Sequence, residues 1–220
     1  MTILVSAYVR EGIVMAADSR LTVTDNNGEK VEKYTATDNM VKVFLLKKIK
    51  AGVSHSGDAY INDMVLSEFI EKFDEDILNQ EDTVETASIK LMQYIQKSGT
   101  NNRMHICGYT NKEPFVYLVD RFTCVRYNNN ESKIIYNVLW CGHGEPLHNL
   151  FMGEYPLIIN FDFMPLKDAI ELVEFMVNVV IKVEKFQSKL STCGGDVDIL
   201  VLTPETQHFH RHKVLNPKPV

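Results

Sequence analysis

Two apolar runs, Ile3 to Val9 and Ile13 to Ala17, stand almost end to end, parted only by Arg10-Glu11-Gly12. Short, β-branched and nearly continuous runs read as strands buried on both faces, because a strand that meets water on one face alternates. A hairpin of two such strands needs cover above and below. A three-residue loop with Gly12 in the left-handed region suits it, since a two-residue primed turn would force Glu11 to positive φ. That pairing sets Thr2 opposite Arg20 and Leu4 opposite Asp18.

The period changes further along. Met40 to Leu46 and Ile49 to Ser54 read as another strand pair, after a turn signal at Asn26-Asn27-Gly28. Ile61, Val65, Phe69 and Phe73 recur at helical spacing and predict an amphipathic helix from about Asp58 to Leu78. Asp82 with Glu85 resembles a capping box for a second helix reaching Lys97. Met104 to Tyr109, Phe115 to Asp120, Thr123 to Tyr127 and Ile134 to Trp140 return to strand character. Pro165 suits a first helical position, and the helix from it to Lys185 is apolar on most sides, which predicts deep burial. Val197 to Thr203 and Gln207 to Val214 read as a final hairpin. Blocks of helices around strands buried on both faces predict an α+β fold, with stacked sheets covered by helices. The chain reads as a single domain, 1–220, with a tail at 215–220 expected to fray.

Lys plus Arg is 23 against 29 for Asp plus Glu, a formal charge of −6, which excludes a nucleic-acid binder driven by bulk positive charge. Apolar residues at 45% exclude disorder. No apolar run reaches the roughly 20 residues of a membrane span, and no basic region precedes the first apolar run as in a secretory signal. Cys107, Cys124, Cys141 and Cys193 are widely spaced and read as reduced thiols of a cytoplasmic protein.

Chemistry gathers at the hairpin's open end. Initiator methionine is commonly removed before a small residue, which would leave Thr2 with a free α-amine. A threonine hydroxyl is a poor nucleophile until a base takes its proton, and an amine of pKa about 7.7–8.0 can be that base. Asp18 closes an apolar strand and needs a partner. Lys42 lies within the apolar run Met40 to Leu46 and needs one too. A Lys42–Asp18 pair beside Thr2 would satisfy both and favour the deprotonated hydroxyl. Taken singly, each residue has a plainer explanation: an ordinary second residue, a strand end, an edge-strand gatekeeper. Together at one hairpin end they favour a site.

The run Gly12-Ile13-Val14-Met15-Ala16-Ala17-Asp18-Ser19-Arg20, behind Thr2-Ile3-Leu4-Val5, resembles proteasome β subunits and the related bacterial threonine peptidases. The spacing from Thr2 to Asp18 matches that family's spacing from nucleophile to aspartate. Asn39-Met40-Val41-Lys42-Val43 is similar to the strand carrying the family's active-site lysine, with a longer segment between Asp18 and Lys42. Ala51 to Ala59 resembles the turn into the family's first long helix, where Ser54 occupies the position whose backbone N–H forms the oxyanion hole. The resemblance implies the N-terminal nucleophile hydrolase fold, a four-layer αββα sandwich, and threonine-type cleavage of peptide bonds after removal of Met1. It also implies a peptide or unfolded-protein substrate, a homo-oligomeric ring that encloses the sites, and an ATPase partner. It implies no cofactor and no metal.

The sequence departs from the family's pattern in places. His143, in Cys141-Gly142-His143-Gly144, stands where the family has a serine. Cys193, in Ser191-Thr192-Cys193-Gly194-Gly195, replaces another, and Leu190 occupies an aspartate position. Arg20, His143, Ser191 and Cys193 are therefore candidate supporting residues around Thr2, Asp18, Lys42 and Ser54. An inactive assembly or binding subunit, and a small-molecule amide hydrolase using the same nucleophile, are the competing readings. His208, His210 and His212 alternate and could collect a transition metal, but an exposed polar strand face accounts for them better. Lys47, Lys48 and Lys50 read as a solvated hairpin tip.

Overall fold

A computed structural model of the chain describes residues 2–26, 31–131 and 133–213. Met1, most of the turn at Asn26-Asn27-Gly28, Val214 and the tail at 215–220 lie outside the described residues. The fold is mixed α+β with antiparallel sheets. Its principal strands are β1 (Ile3–Val9), β2 (Gly12–Ala17), β3 (Leu21–Asn26), β4 (Val31–Thr37), β5 (Val43–Leu46) and β6 (Ala51–Ser56). Helices α1 (Leu66–Lys72) and α2 (Val84–Ser98) follow, then β7 (Arg103–Thr110), β8 (Glu113–Val119), β9 (Cys124–Arg126) and β10 (Asn137–Gly142). Helices α3 (Glu145–Met152) and α4 (Leu166–Phe186) and strands β11 (Asp198–Leu202) and β12 (Gln207–Arg211) complete the order.

One five-stranded sheet runs β10-β1-β2-β11-β12 and a second runs β9-β8-β7-β6-β5. Every residue of β1 and β2 is buried, as their unbroken apolar character requires. Leu4, Met15 and Leu200 of the first sheet meet Val43, Cys107 and Val116 of the second in one core. Ile3, Val5 and Val14 face the other way, onto Leu147 of α3 and Val173 and Val177 of α4. The second sheet's outer face packs Val53, Ile106 and Tyr117 onto α1 and α2. Each fully buried Leu, Ile or Phe contributes about 1.5–3 kcal/mol, so these faces hold the sheets together.

Several expectations need correction. The β1–β2 connection is two residues long, Val9 pairs with Gly12, and Leu4 pairs with Ala17 rather than Asp18. Gly12 belongs to the strand and does not have positive φ. It is required by close approach, since a Cβ there would sit 2.8 Å from Leu166 Cδ1 and 2.9 Å from the Leu202 carbonyl. The helix expected from Asp58 begins only at Leu66. Asn62 and Asp63 both adopt positive φ (49° and 63°) and turn a short ladder, Tyr60–Ile61 against Met64–Val65. Asn and Asp tolerate that region, and the primed geometry suits a tight hairpin. The second helix is capped by Thr83 with Thr86, not by Asp82 with Glu85. Pro165 caps α4 from outside. That helix buries Val173, Val177 and Val180 but exposes Phe175, Val183 and Phe186. No helix among the described residues is long and apolar enough to cross a membrane.

Candidate active site

Thr2 lies just before β1 and is buried. Its carbonyl accepts the His143 N–H at 2.7 Å. This contact explains Gly142, which has φ of +93° and whose Cβ would fall 1.9 Å from the Thr2 carbonyl oxygen. Only glycine lets the β10–α3 turn close on Thr2.

Asp18 follows β2 and is wholly buried. Oδ1 accepts the Ile3 N–H at 3.1 Å and Lys42 Nζ at 2.9 Å; Oδ2 accepts the N–H groups of Arg20 at 3.2 Å and Gly194 at 3.0 Å. Four donors on one carboxylate offset the cost of burying its charge. Lys42 is buried, and Nζ also donates to the Arg20 carbonyl at 2.7 Å. An ammonium has three donors, so one N–H is left for the cavity that Lys42 lines. That cavity, about 30 Å³, is walled by Thr2, Lys42, Met40, His55 and Gly57 among others.

Ser54 does not reach this cavity. It sits within β6, paired with Val43 on one side and His105 on the other. The next N–H, of His55, donates to the Lys42 carbonyl at 2.9 Å. Successive N–H groups in a strand point opposite ways, so that of Ser54 faces β7 inside the sheet. Gly57 does line the cavity, and its N–H has no acceptor among the described residues. Gly57 has φ of +137°, and a Cβ there would meet Asn102 Oδ1 at 2.0 Å.

The supporting residues form a second ring. Arg20 grips Asp38 with two bonds, Nε to Oδ1 at 2.6 Å and Nη2 to Oδ2 at 2.8 Å. The hydrogen-bonded guanidinium holds the Asp38 carboxyl below its usual range despite partial burial. Arg20 Nη1 also donates to the Ser191 carbonyl at 3.3 Å. Ser191 Oγ donates to the Cys193 carbonyl at 2.8 Å. The Cys193 side chain packs into the core beneath α4, where burial pushes its thiol far up and keeps it neutral.

A carboxylate missed in the sequence organises this turn. Glu184, near the end of α4, is buried and accepts the Thr192 N–H, the Cys193 N–H at 2.8 Å and Thr192 Oγ1 at 2.9 Å. Burial alone would raise its pKa, but the Cys193 and Thr192 donors hold it below the ordinary value. His143 Nε2 lies 3.3 Å from Glu184 Oε1, close enough to pair but not aligned as a hydrogen bond. Leu190 is exposed, so no carboxylate is provided at that position. The signal for Glu184 was available: it continues the apolar stripe Val173, Val177, Val180 at helical spacing. His55 was missed too; it is a buried imidazole on the cavity wall.

A second, partly buried lysine braces the same region. Lys213 Nζ donates to Ser19 Oγ and the Met40 carbonyl and pairs with Asp198 Oδ2 at 3.3 Å. His212 Nδ1 turns in to Asp198 Oδ1 at 3.2 Å, while His208 and His210 are exposed. No group of three or more His, Cys, Asp and Glu residues able to hold a metal occurs among the described residues. The cysteines are free.

A larger, mostly apolar cavity of about 280 Å³ adjoins the first through Leu21, Met40 and Ala59 and continues along Val41, Tyr60 and Val65. Two further cavities, of about 290 and 470 Å³, touch neither Thr2 nor Lys42. No protein-family model and no curated relative matches the chain.

Proposed function

We propose that this chain is a threonine-type peptidase on the four-layer αββα sandwich of N-terminal nucleophile hydrolases, acting in the cytoplasm once Met1 is removed. One observation carries the reading: buried Thr2 shares a small polar cavity with Lys42, whose ammonium is paired to Asp18 at 2.9 Å. The freed α-amine, of ordinary pKa about 7.7–8.0, takes the Thr2 Oγ proton as Oγ attacks the peptide carbonyl. The Lys42 charge favours the developing alkoxide, and Asp18 holds Lys42 in place. The oxyanion is met by the Gly57 N–H, which has no acceptor among the described residues, in place of Ser54. The protonated α-amine then returns that proton to the leaving amine, and water releases the acyl group from Oγ.

Glu184 stands in for the aspartate expected at Leu190. It shapes the turn whose Gly194 N–H reaches Asp18, and it lies beside His143, the serine's replacement. The adjoining apolar cavity supports a preference for a large apolar side chain beside the scissile bond. Tyr155, Ile158 and Phe163, exposed at 88%, 89% and 83%, offer apolar surface for the subunit contacts of a ring, on which an ATPase would dock.

Thr2→Ala tests the reading. With Met1 shown absent by intact mass, the variant should lose turnover of fluorogenic peptides and keep the parent Tm; unchanged turnover refutes it. The competing reading, an inactive assembly subunit, is favoured by the buried, neutral Cys193 in a family serine position. Retention of Met1 in protein isolated from cells would decide for it, since the α-amine would then be blocked.

A further inference from the structure

The cavity beside Thr2 is too small for a side chain and the right size for solvent. Its volume is about 30 Å³, whereas one water needs roughly 10–15 Å³ and two to four polar partners. His55 lines it, is 2% exposed, and has an Nε2 with no hydrogen-bond partner among the described residues. A buried imidazole nitrogen left unpaired bears its desolvation cost with nothing to offset it, so this atom calls for a ligand. The sheet aims it: the His55 N–H bonds to the Lys42 carbonyl, which makes the two residues direct cross-strand partners with side chains on one face. Among the described residues, Lys42 uses two of its three N–H donors and keeps one. His55 and Lys42 therefore flank, from one face of the sheet, a space of one to two water molecules that Thr2 also lines.

We propose that this cavity binds the water that releases the acyl group from Thr2, with His55 Nε2 accepting a hydrogen bond from it and Lys42 Nζ donating one to it. The proposal rests on Thr2 being the nucleophile. In the step, the water oxygen forms a bond to the acyl carbon and the bond from that carbon to Thr2 Oγ breaks. One water proton passes through the α-amine to Oγ, and the product is the free carboxylic acid. His55 positions the water and is not the final base. It suits that role because burial, opposed by a hydrogen bond donated to Asn102 and reinforced by the Lys42 charge, pushes it down to about 4. The imidazole is then neutral at working pH and has a lone pair to offer in the tautomer protonated at Nδ1.

The experiment compares acylation with hydrolysis in the full chain lacking Met1, using an activated peptide ester and rapid quench. His55→Phe and His55→Gln should acylate within about twofold of the parent and deacylate about 10- to 100-fold more slowly. The acyl adduct on Thr2 should accumulate in intact mass, and His55→Gln, which keeps a polar group, should be less impaired than His55→Phe. Deacylation within about twofold of the parent, or an equal fall in both steps, overturns the proposal and leaves the nucleophile reading standing. Absence of any Thr2 adduct in the parent enzyme removes both. Should the variants not fold, an atomic-resolution crystal structure of the unaltered protein decides. A water within about 3.2 Å of both His55 Nε2 and Lys42 Nζ supports the proposal, and its absence from well-defined density overturns it.

Discussion

Lys42 Nζ lies 2.9 Å from Asp18 Oδ1, and the two side chains are 4% and 0% exposed, so the pair is buried at the open end of the first hairpin with only Lys42 lining the small cavity. The carboxylate is bound by three further donors, all backbone N–H groups from Ile3, Arg20 and Gly194. The pair therefore knits together three chain segments far apart in sequence.

Removing one partner of this pair should be costly. Asp18→Asn leaves a buried ammonium without its counter-charge, and about 3–5 kcal/mol of stability should be lost. Lys42→Met should cost a comparable amount. The double variant should cost less than the sum, because neither charge is stranded. Urea denaturation of the four proteins measures the coupling; strict additivity would refute it.

Glycine substitutions separate two causes of strain. Gly142→Ala combines φ of +93° with a Cβ 1.9 Å from the Thr2 carbonyl, whereas Gly99→Ala has φ of +72° and nothing within 4 Å. Gly99→Ala should cost about 1 kcal/mol, the left-handed penalty alone. Gly142→Ala should cost more and also abolish peptidase turnover by displacing Thr2. Tm and kcat for both variants check this, and equal stability losses would count against the contact.

Stability should fall as pH drops below neutrality. His55 and His105 are buried and neutral, pushed down by burial to about 4 and about 3. The unfolded chain takes up protons at these sites near pH 6.5, while the folded chain refuses them until its own lower values. The stability they provide is complete above about 6.5 and is lost as pH falls through that value, by about 1.4 kcal/mol per pH unit for each histidine. His105 is held by Ser6 Oγ at 2.8 Å between the sheets, away from the cavity. His105→Gln should therefore lessen the slope between pH 6 and 4.5 without altering the pH dependence of turnover. Urea midpoints across that range provide the measurement.

Substrate preference should follow the apolar cavity beside the site. A leucine placed among Leu21, Met40, Val41 and Val65 gains about 1.5–3 kcal/mol on burial, or roughly 10- to 100-fold in kcat/KM over a residue left exposed. Peptides differing only at the residue before the scissile bond would reveal it. Equal rates for leucine and aspartate there would contradict the assignment.

The sequence by itself determined the apolar strand pair, the alternation of strand and helix blocks, and the proximity of Thr2, Asp18 and Lys42 to the hairpin's open end. Periodicity reports which faces are dry, and a charge inside a dry run announces that it must have a partner. It could not determine the pairing register, because Gly12 looked like a turn residue until the approach of Leu166 and Leu202 gave it a different role. Nor could it show that Ser54 is enclosed by β5 and β7, which leaves Gly57 on the cavity wall. Glu184 and His55 were legible only as polar residues in apolar surroundings. What they face was decided when the sheets and α4 closed around them, because a buried polar group takes its partner from whatever distant backbone the packing brings within hydrogen-bond reach.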